Sequence, residues 1–140
     1  MALFRYGNSN AGGGGGGTPV MQETQLWSNS YPGSAFGNQV INLSSSITNY
    51  DYIGIYYRPK ANTPSVEYLV MVPTSDFQDM DYASDAVMLM SYYNNYYARA
   101  VWYVNNTQIH FSDSLQVSGG GNSNGTSIPT KIVGMNLAVE

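Results

Sequence analysis

Tyr96–Phe111, YYARAVWYVNNTQIHF, decides the fold class. Ala98, Ala100, Trp102 and Val104 alternate with Tyr97, Arg99, Val101 and Tyr103. That is the period of two at which successive strand side chains turn to opposite faces. Asn105-Asn106 interrupts the run and Thr107–Phe111 resumes it. Asparagine tolerates positive φ, so an Asn-Asn connection between two alternating runs reads as a β-hairpin.

The same period recurs on either side. In Tyr52–Arg58, Ile53, Ile55 and Tyr57 share one face and Tyr52, Gly54 and Tyr56 the other. Val66, Tyr68, Val70 and Val72 alternate with Glu67, Leu69 and Met71. Ala86–Tyr92, AVMLMSY, is apolar on both faces. It reads as a central strand or as a strand covered by a partner, with a short helix as the other option. Ser118–Ser127 is a Gly/Asn/Ser loop and Lys131–Leu137 a last strand. About eight strands with turn residues between them, no helical period and no internal repeat predict an all-β, antiparallel β-sandwich, jelly-roll-like in winding.

The sequence has 140 residues, which favours one domain with a substantial core. Hydrophobic residues make up 43% and aromatics 14%, with 13 tyrosines, so the chain is not disordered and its surface is rich in adaptable contacts. The formal net charge is −4, and the five basic residues, Arg5, Arg58, Lys60, Arg99 and Lys131, are scattered. A nucleic-acid surface needs them clustered, so no nucleic-acid partner is expected. There is no cysteine, so no disulfide framework supports the fold. MALFRYGNSN lacks the apolar stretch of a signal peptide, and no run approaches a membrane span, so cytoplasmic synthesis without membrane insertion is expected.

Composition breaks at Gly12–Gly17, six consecutive glycines. Glycine has the most backbone entropy to lose, so this run does not order by itself. Residues 1–19 read as an N-terminal arm and 20–140 as the sandwich domain. The arm is a flexible tether or an anchor on another subunit, with Phe4, Arg5, Tyr6, Gly12 and Gly17 as the candidate anchor residues.

Candidate sites are few. Asp76, Asp79, Asp81 and Asp85 in DFQDMDYASD supply hard oxygen ligands suited to calcium, although the glycine and terminal glutamate of an EF-hand are missing. The competing reading is an acidic solvated loop. Paired carboxylates also raise glycoside hydrolysis, which needs two of them in one cleft. His110 alternates against Ile109 and Phe111 and points to solvent or a subunit contact; alone, it suits neither a metal nor a catalytic triad. The hexaglycine lacks the Gly-Lys-Ser/Thr ending of a phosphate loop. No cofactor is implied. Tyr92, Tyr93, Asn94, Asn95, Tyr96 and Tyr97 place amphipathic rings beside amides, a combination that stacks on sugars and hydrogen-bonds their hydroxyls, or that packs in a core or subunit contact. Arg99, within an aromatic strand, is expected to be structural, paired with a carboxylate or stacked on a tyrosine.

Several segments together carry a family resemblance. Leu26-Trp27, the polar turn Ser28–Ser34, Phe36 and the strand Gln39–Leu43 open it. Tyr50-Asp51-Tyr52 leads into Ile53–Arg58, and the Arg99 hairpin, the Ser118–Ser127 loop and Ile128–Ile132 (IPTKI) close it. Over roughly Glu23–Leu137 the sequence resembles a module at the C-terminal ends of bacteriophage tail and baseplate proteins. The resemblance implies a virion structural role, homotrimers, contact with the host surface and no catalytic residues. That module usually ends a much longer tail protein, whereas here only the arm precedes it, which leaves tail tip, fibre and capsid surface open. The expected function is a tail fibre, tail tip or baseplate component at the particle surface. It would attach to host-surface glycan by multivalent binding and join other virion proteins through the arm. A capsid decoration or head-fibre protein is the alternative, and a carbohydrate-binding module or hydrolase the third.

Overall fold

The computed structural model describes residues 18–139. Within the arm expected over 1–19, Phe4, Arg5, Tyr6, Gly12 and Gly17 lie outside the described residues.

Among the described residues, eight strands form two antiparallel sheets of four. The first has the order β1 (Pro19–Ser28), β8 (Thr126–Val139), β3 (Tyr52–Lys60), β4 (Tyr68–Pro73). The second has the order β2 (Gln39–Asn42), β7 (Gln108–Gln116), β6 (Asn95–Asn105), β5 (Val87–Tyr93). The nested pairs β1–β8 and β2–β7, one in each sheet, are the jelly-roll element of the winding. β3–β4 and β5–β6–β7 are adjacent antiparallel neighbours. The all-β sandwich is thus the observed fold.

The core lies between the sheets. Ile53, Ile55 and Tyr57 of β3 point inward, as their alternation predicts, against Leu89, Val101, Ile109 and Phe111 of the second sheet. Burying each such aliphatic or aromatic side chain contributes roughly 1.5–3 kcal/mol. Trp27, Phe36 and Phe111 meet at ring-centroid distances of 5.3–5.9 Å, joining β1 and the β1–β2 connection to β7. The Leu-Trp and Phe positions of the sequence motif are therefore packing residues. On the outer face of the first sheet, Tyr56, Val133 and Met135 form a second buried cluster with Met21, Tyr52, Leu69 and Met71.

Three sequence expectations need correction. Val87–Tyr93 is an edge strand and not a central one. Val87, Leu89 and Ser91 are buried while Met88, Met90 and Tyr92 are exposed, so one of its two apolar faces is open. The β6–β7 connection is Asn106-Thr107, because Asn105 still pairs with Gln108. Neither turn residue has positive φ. Asn105 instead shapes the turn through its side chain, whose Oδ1 accepts from the Thr107 amide at 2.9 Å. β4 begins at Tyr68, since Val66 and Glu67 belong to the preceding turn, where the Val66 amide bonds the Thr63 carbonyl.

Candidate functional site

The Tyr92–Tyr97 stretch forms the tip of the β5–β6 hairpin. Tyr92 pairs with Tyr96 and Tyr93 with Asn95, leaving Asn94 alone at the apex. Its φ of 62° is the left-handed conformation that asparagine adopts more readily than most residues. A turn this short holds the flanking rings close to the apex.

The pleat then divides the six residues between two surfaces. Tyr92 and Tyr96 face outward at 61% and 60% exposure, with ring centroids 4.8 Å apart in an edge-on arrangement. They do not pack in the core. Together with Tyr57, Tyr68, Met90 and Ser91 they line a groove of about 430 Å³ along the open edge between β4 and β5. Tyr57 and Tyr68 are themselves edge-on at 5.4 Å. The Tyr57 hydroxyl donates to the Met90 carbonyl at 2.8 Å, a bond from one sheet to the other that fixes the groove's width. Burial raises the Tyr57 pKa above its ordinary value, so the hydroxyl stays protonated and donating. Among the described residues, the hydroxyls of Tyr68, Tyr92 and Tyr96 have no hydrogen-bond partner and remain available to a ligand.

Tyr93 and Tyr97 turn toward the end of the sandwich. They line a second hollow of about 410 Å³ with Lys60, Ala61, Asn62, Ser123, Gly125 and Thr126. Here the β3–β4 and β7–β8 loops meet the hairpin tip, and the Ala61 amide bonds the Gly125 carbonyl at 2.9 Å. Lys60 Nζ lies 3.4 Å above the centre of the Tyr93 ring. Among the described residues, neither hollow is lined by Asp, Glu or His. Both offer stacking and hydrogen bonding, and neither carries an acid–base pair of the kind glycoside hydrolysis requires.

The other sequence candidates lie elsewhere. Asp76 falls in a one-turn helix, α1 (Thr74–Phe77), and Asp85 in a 3-10 turn (Ala83–Asp85), with Asp79 and Asp81 between them. Among the described residues no three His, Cys, Asp or Glu side chains gather as a metal site requires, so the calcium reading has no cluster to carry it. Packing holds this segment: Phe77 is fully buried, and the Met80 carbonyl accepts from the Tyr103 amide at 2.7 Å. His110 lies against Trp102 at 4.1 Å and bonds Asn38 Oδ1 through Nε2 at 2.7 Å.

Arg99 is structural, with different partners from those expected. Its guanidinium is fully buried and donates to backbone carbonyls: Nε to Ser127 at 2.8 Å, Nη1 to Ser112 at 2.7 Å and Nη2 to Thr126 at 3.1 Å. The ring it approaches is that of Phe36, at 5.2 Å. Burial pushes its pKa down to about 10, partly countered by the Asp113 charge, so it stays a cation at neutral pH.

The outer face of the second sheet is a feature the sequence reading did not assemble. Cross-strand rows Met88–Ala100, Met90–Ala98 and Tyr92–Tyr96 climb to the tip beside Trp102 and His110. Not one of these residues carries a carboxylate, lysine or arginine.

No protein-family model matches the chain, and no curated protein matches it significantly.

Proposed function

We propose that the chain is a bacteriophage virion structural protein contributing to host-surface attachment, with the tyrosine groove as its glycan contact. The observation that carries the reading is the exposure of Tyr92 and Tyr96 beside Tyr57 and Tyr68 in one groove, where the hydroxyls of Tyr68, Tyr92 and Tyr96 have no partner among the described residues. Rings lying over a pyranose cover its apolar C–H face, while phenolic hydroxyls bond its oxygens. A shallow, open site of this sort binds weakly, and attachment then comes from repetition on a symmetric particle.

Copies of the chain associate in this reading as a homotrimer through the outer face around Met88, Met90 and Trp102. With a net charge of −4 per copy, like charges oppose close approach, and the cross-strand rows Met88–Ala100, Met90–Ala98 and Tyr92–Tyr96 carry none. Its rows run directly into Tyr92 and Tyr96, so association there sets several grooves side by side. The arm, with Phe4, Arg5 and Tyr6 ahead of the hexaglycine, is the part that joins neighbouring virion proteins at a tail fibre, tail tip or baseplate.

The test is the abundance of this chain in purified particles relative to the major capsid protein, by quantitative mass spectrometry. A small fraction of the capsid count is expected. A count comparable to the capsid protein moves it to the head as a decoration protein, and its absence from particles contradicts a virion role.

A further inference from the structure

We propose that the hollow at the end of the sandwich is a second subsite, selective for an anionic sugar residue, with Lys60 as its charge partner. This deepens the glycan reading above and rests on it.

Among the described residues, Lys60 is the only charged side chain lining the hollow, in a chain of net charge −4. Among the described residues it pairs with no carboxylate; the Tyr93 ring is what Nζ contacts. A cation–π contact holds the ammonium in place on one side and leaves its remaining N–H donors directed away from the ring. The Lys60 backbone is held as well. Thr63 Oγ1 donates to the Lys60 carbonyl at 2.8 Å, and the Thr63 amide bonds the same carbonyl at 3.2 Å.

Around this cation stand polar groups with nothing to bond. The Tyr93 and Tyr97 hydroxyls, the Asn62 amide and the Ser123 hydroxyl have no side-chain hydrogen bond among the described residues. Rings to stack on, amide and hydroxyl groups to meet ring oxygens, and one fixed cation describe the recognition of a sugar bearing one negative charge. That charge is a carboxylate, as in a uronic acid, or a phosphate ester. The tip residues Tyr92 and Tyr93 separate this hollow from the tyrosine groove. In this reading one oligosaccharide spans both, a neutral unit in the groove and an acidic unit at the end.

The full chain titrated by amide NMR with a galacturonate disaccharide, its neutral galactose counterpart and galactose 6-phosphate tests the subsite. Expected are shifts at Lys60, Asn62, Tyr93 and Ser123 with the acidic ligands, and an affinity about 5- to 10-fold above that for the neutral disaccharide. The stronger of the two acidic ligands identifies the source of the charge. Lys60→Met should abolish the preference with the rest of the spectrum unchanged, Lys60→Arg should retain much of it, and Tyr92→Ala should weaken both disaccharides alike. Equal affinity for acidic and neutral disaccharides, with shifts in the groove, overturns the subsite and leaves the groove reading standing. No perturbation at either hollow by any of the three overturns both.

Discussion

The Arg99 Nε donates at 2.8 Å to the carbonyl of Ser127, a residue held at a φ of 45° on the opposite sheet. A serine in the left-handed region is strained, by an amount on the order of 1–3 kcal/mol. The buried guanidinium holds that carbonyl in position. Ser91 Oγ meets Ser127 Oγ at 2.8 Å, a second tie from β5 to β8 at the same point.

Replacing Arg99 by Met leaves the carbonyls of Ser127, Ser112 and Thr126 without this donor in the interior. The expected loss is about 3–5 kcal/mol of unfolding free energy, read from denaturant unfolding. Lysine cannot form the same fork of bonds, so Arg99→Lys should recover little of it. A loss below about 1 kcal/mol for the methionine variant contradicts this account.

Gly134 is required by close approach, because a Cβ there would run into the ring of Tyr50. Tyr50, first residue of the Tyr-Asp-Tyr motif, lies flat over the β8 backbone. Gly134→Ala should cost about 1–3 kcal/mol by forcing that ring aside. In the double variant with Tyr50→Ala the added methyl finds space, and the cost of Gly134→Ala should largely disappear; additive costs contradict the contact.

At high pH two buried tyrosines of β3, Tyr56 on its outer face and Tyr57 on its inner face, set a trend. Burial, and then the Glu23 carboxylate 2.8 Å from its hydroxyl, raise the pKa of Tyr56; burial raises that of Tyr57. Unfolded tyrosine ionises near pH ~10 while these remain protonated, so their contribution is complete below that pH and falls as pH rises toward the folded pKa. Arg99, whose pKa is lowered, acts with the opposite sign but equally in a comparison of variants. The stability of wild type relative to Tyr56→Phe should hold steady below pH ~10 and decline above it by up to ~1.4 kcal/mol per pH unit. A difference that stays flat to pH ~11.5 contradicts the raised pKa.

Met88 and Met90 are 44% and 46% exposed on the face assigned to copy–copy contact. Met88→Glu with Met90→Glu places like charges across that contact and should convert the assembly to monomer in sedimentation, with the unfolding midpoint of the isolated fold little changed. A wild-type chain that is already monomeric at high concentration, or an assembly that survives both changes, contradicts the assignment.

Alternation made β3, β4 and the β6–β7 hairpin legible in the sequence, because a half-buried strand records its two environments residue by residue. It failed for Val87–Tyr93. An open apolar face and a packed one have the same composition, so AVMLMSY did not show that it lies at an edge. The Asn105-Asn106 signal pointed to the right turn one residue early, since asparagine shapes turns through its side chain as well as through positive φ. The left-handed asparagine is Asn94, in the other Asn-Asn pair. At the candidate site the six residues Tyr92–Tyr97 were identifiable, but Tyr57, Tyr68 and Lys60 were not. Those residues reach the tip only because β3 and β4 lie across from β5, a proximity that no local pattern encodes. Arg99 was legible as structural, but its carbonyl partners were not: Ser127 and Thr126 lie on β8 of the other sheet, and Ser112 sits where the β6–β7 register shifts between Arg99 and Val101.

The central claim is that Tyr92 and Tyr96 bind sugar. The most direct measurement is binding of the wild-type chain and of Tyr92→Ala/Tyr96→Ala to a panel of immobilised bacterial surface polysaccharides. Both rings are solvent-exposed, so the double variant should unfold at nearly the wild-type midpoint while losing at least about 10-fold in binding, near 1.4 kcal/mol. Retention of wild-type binding by a correctly folded double variant would contradict the account.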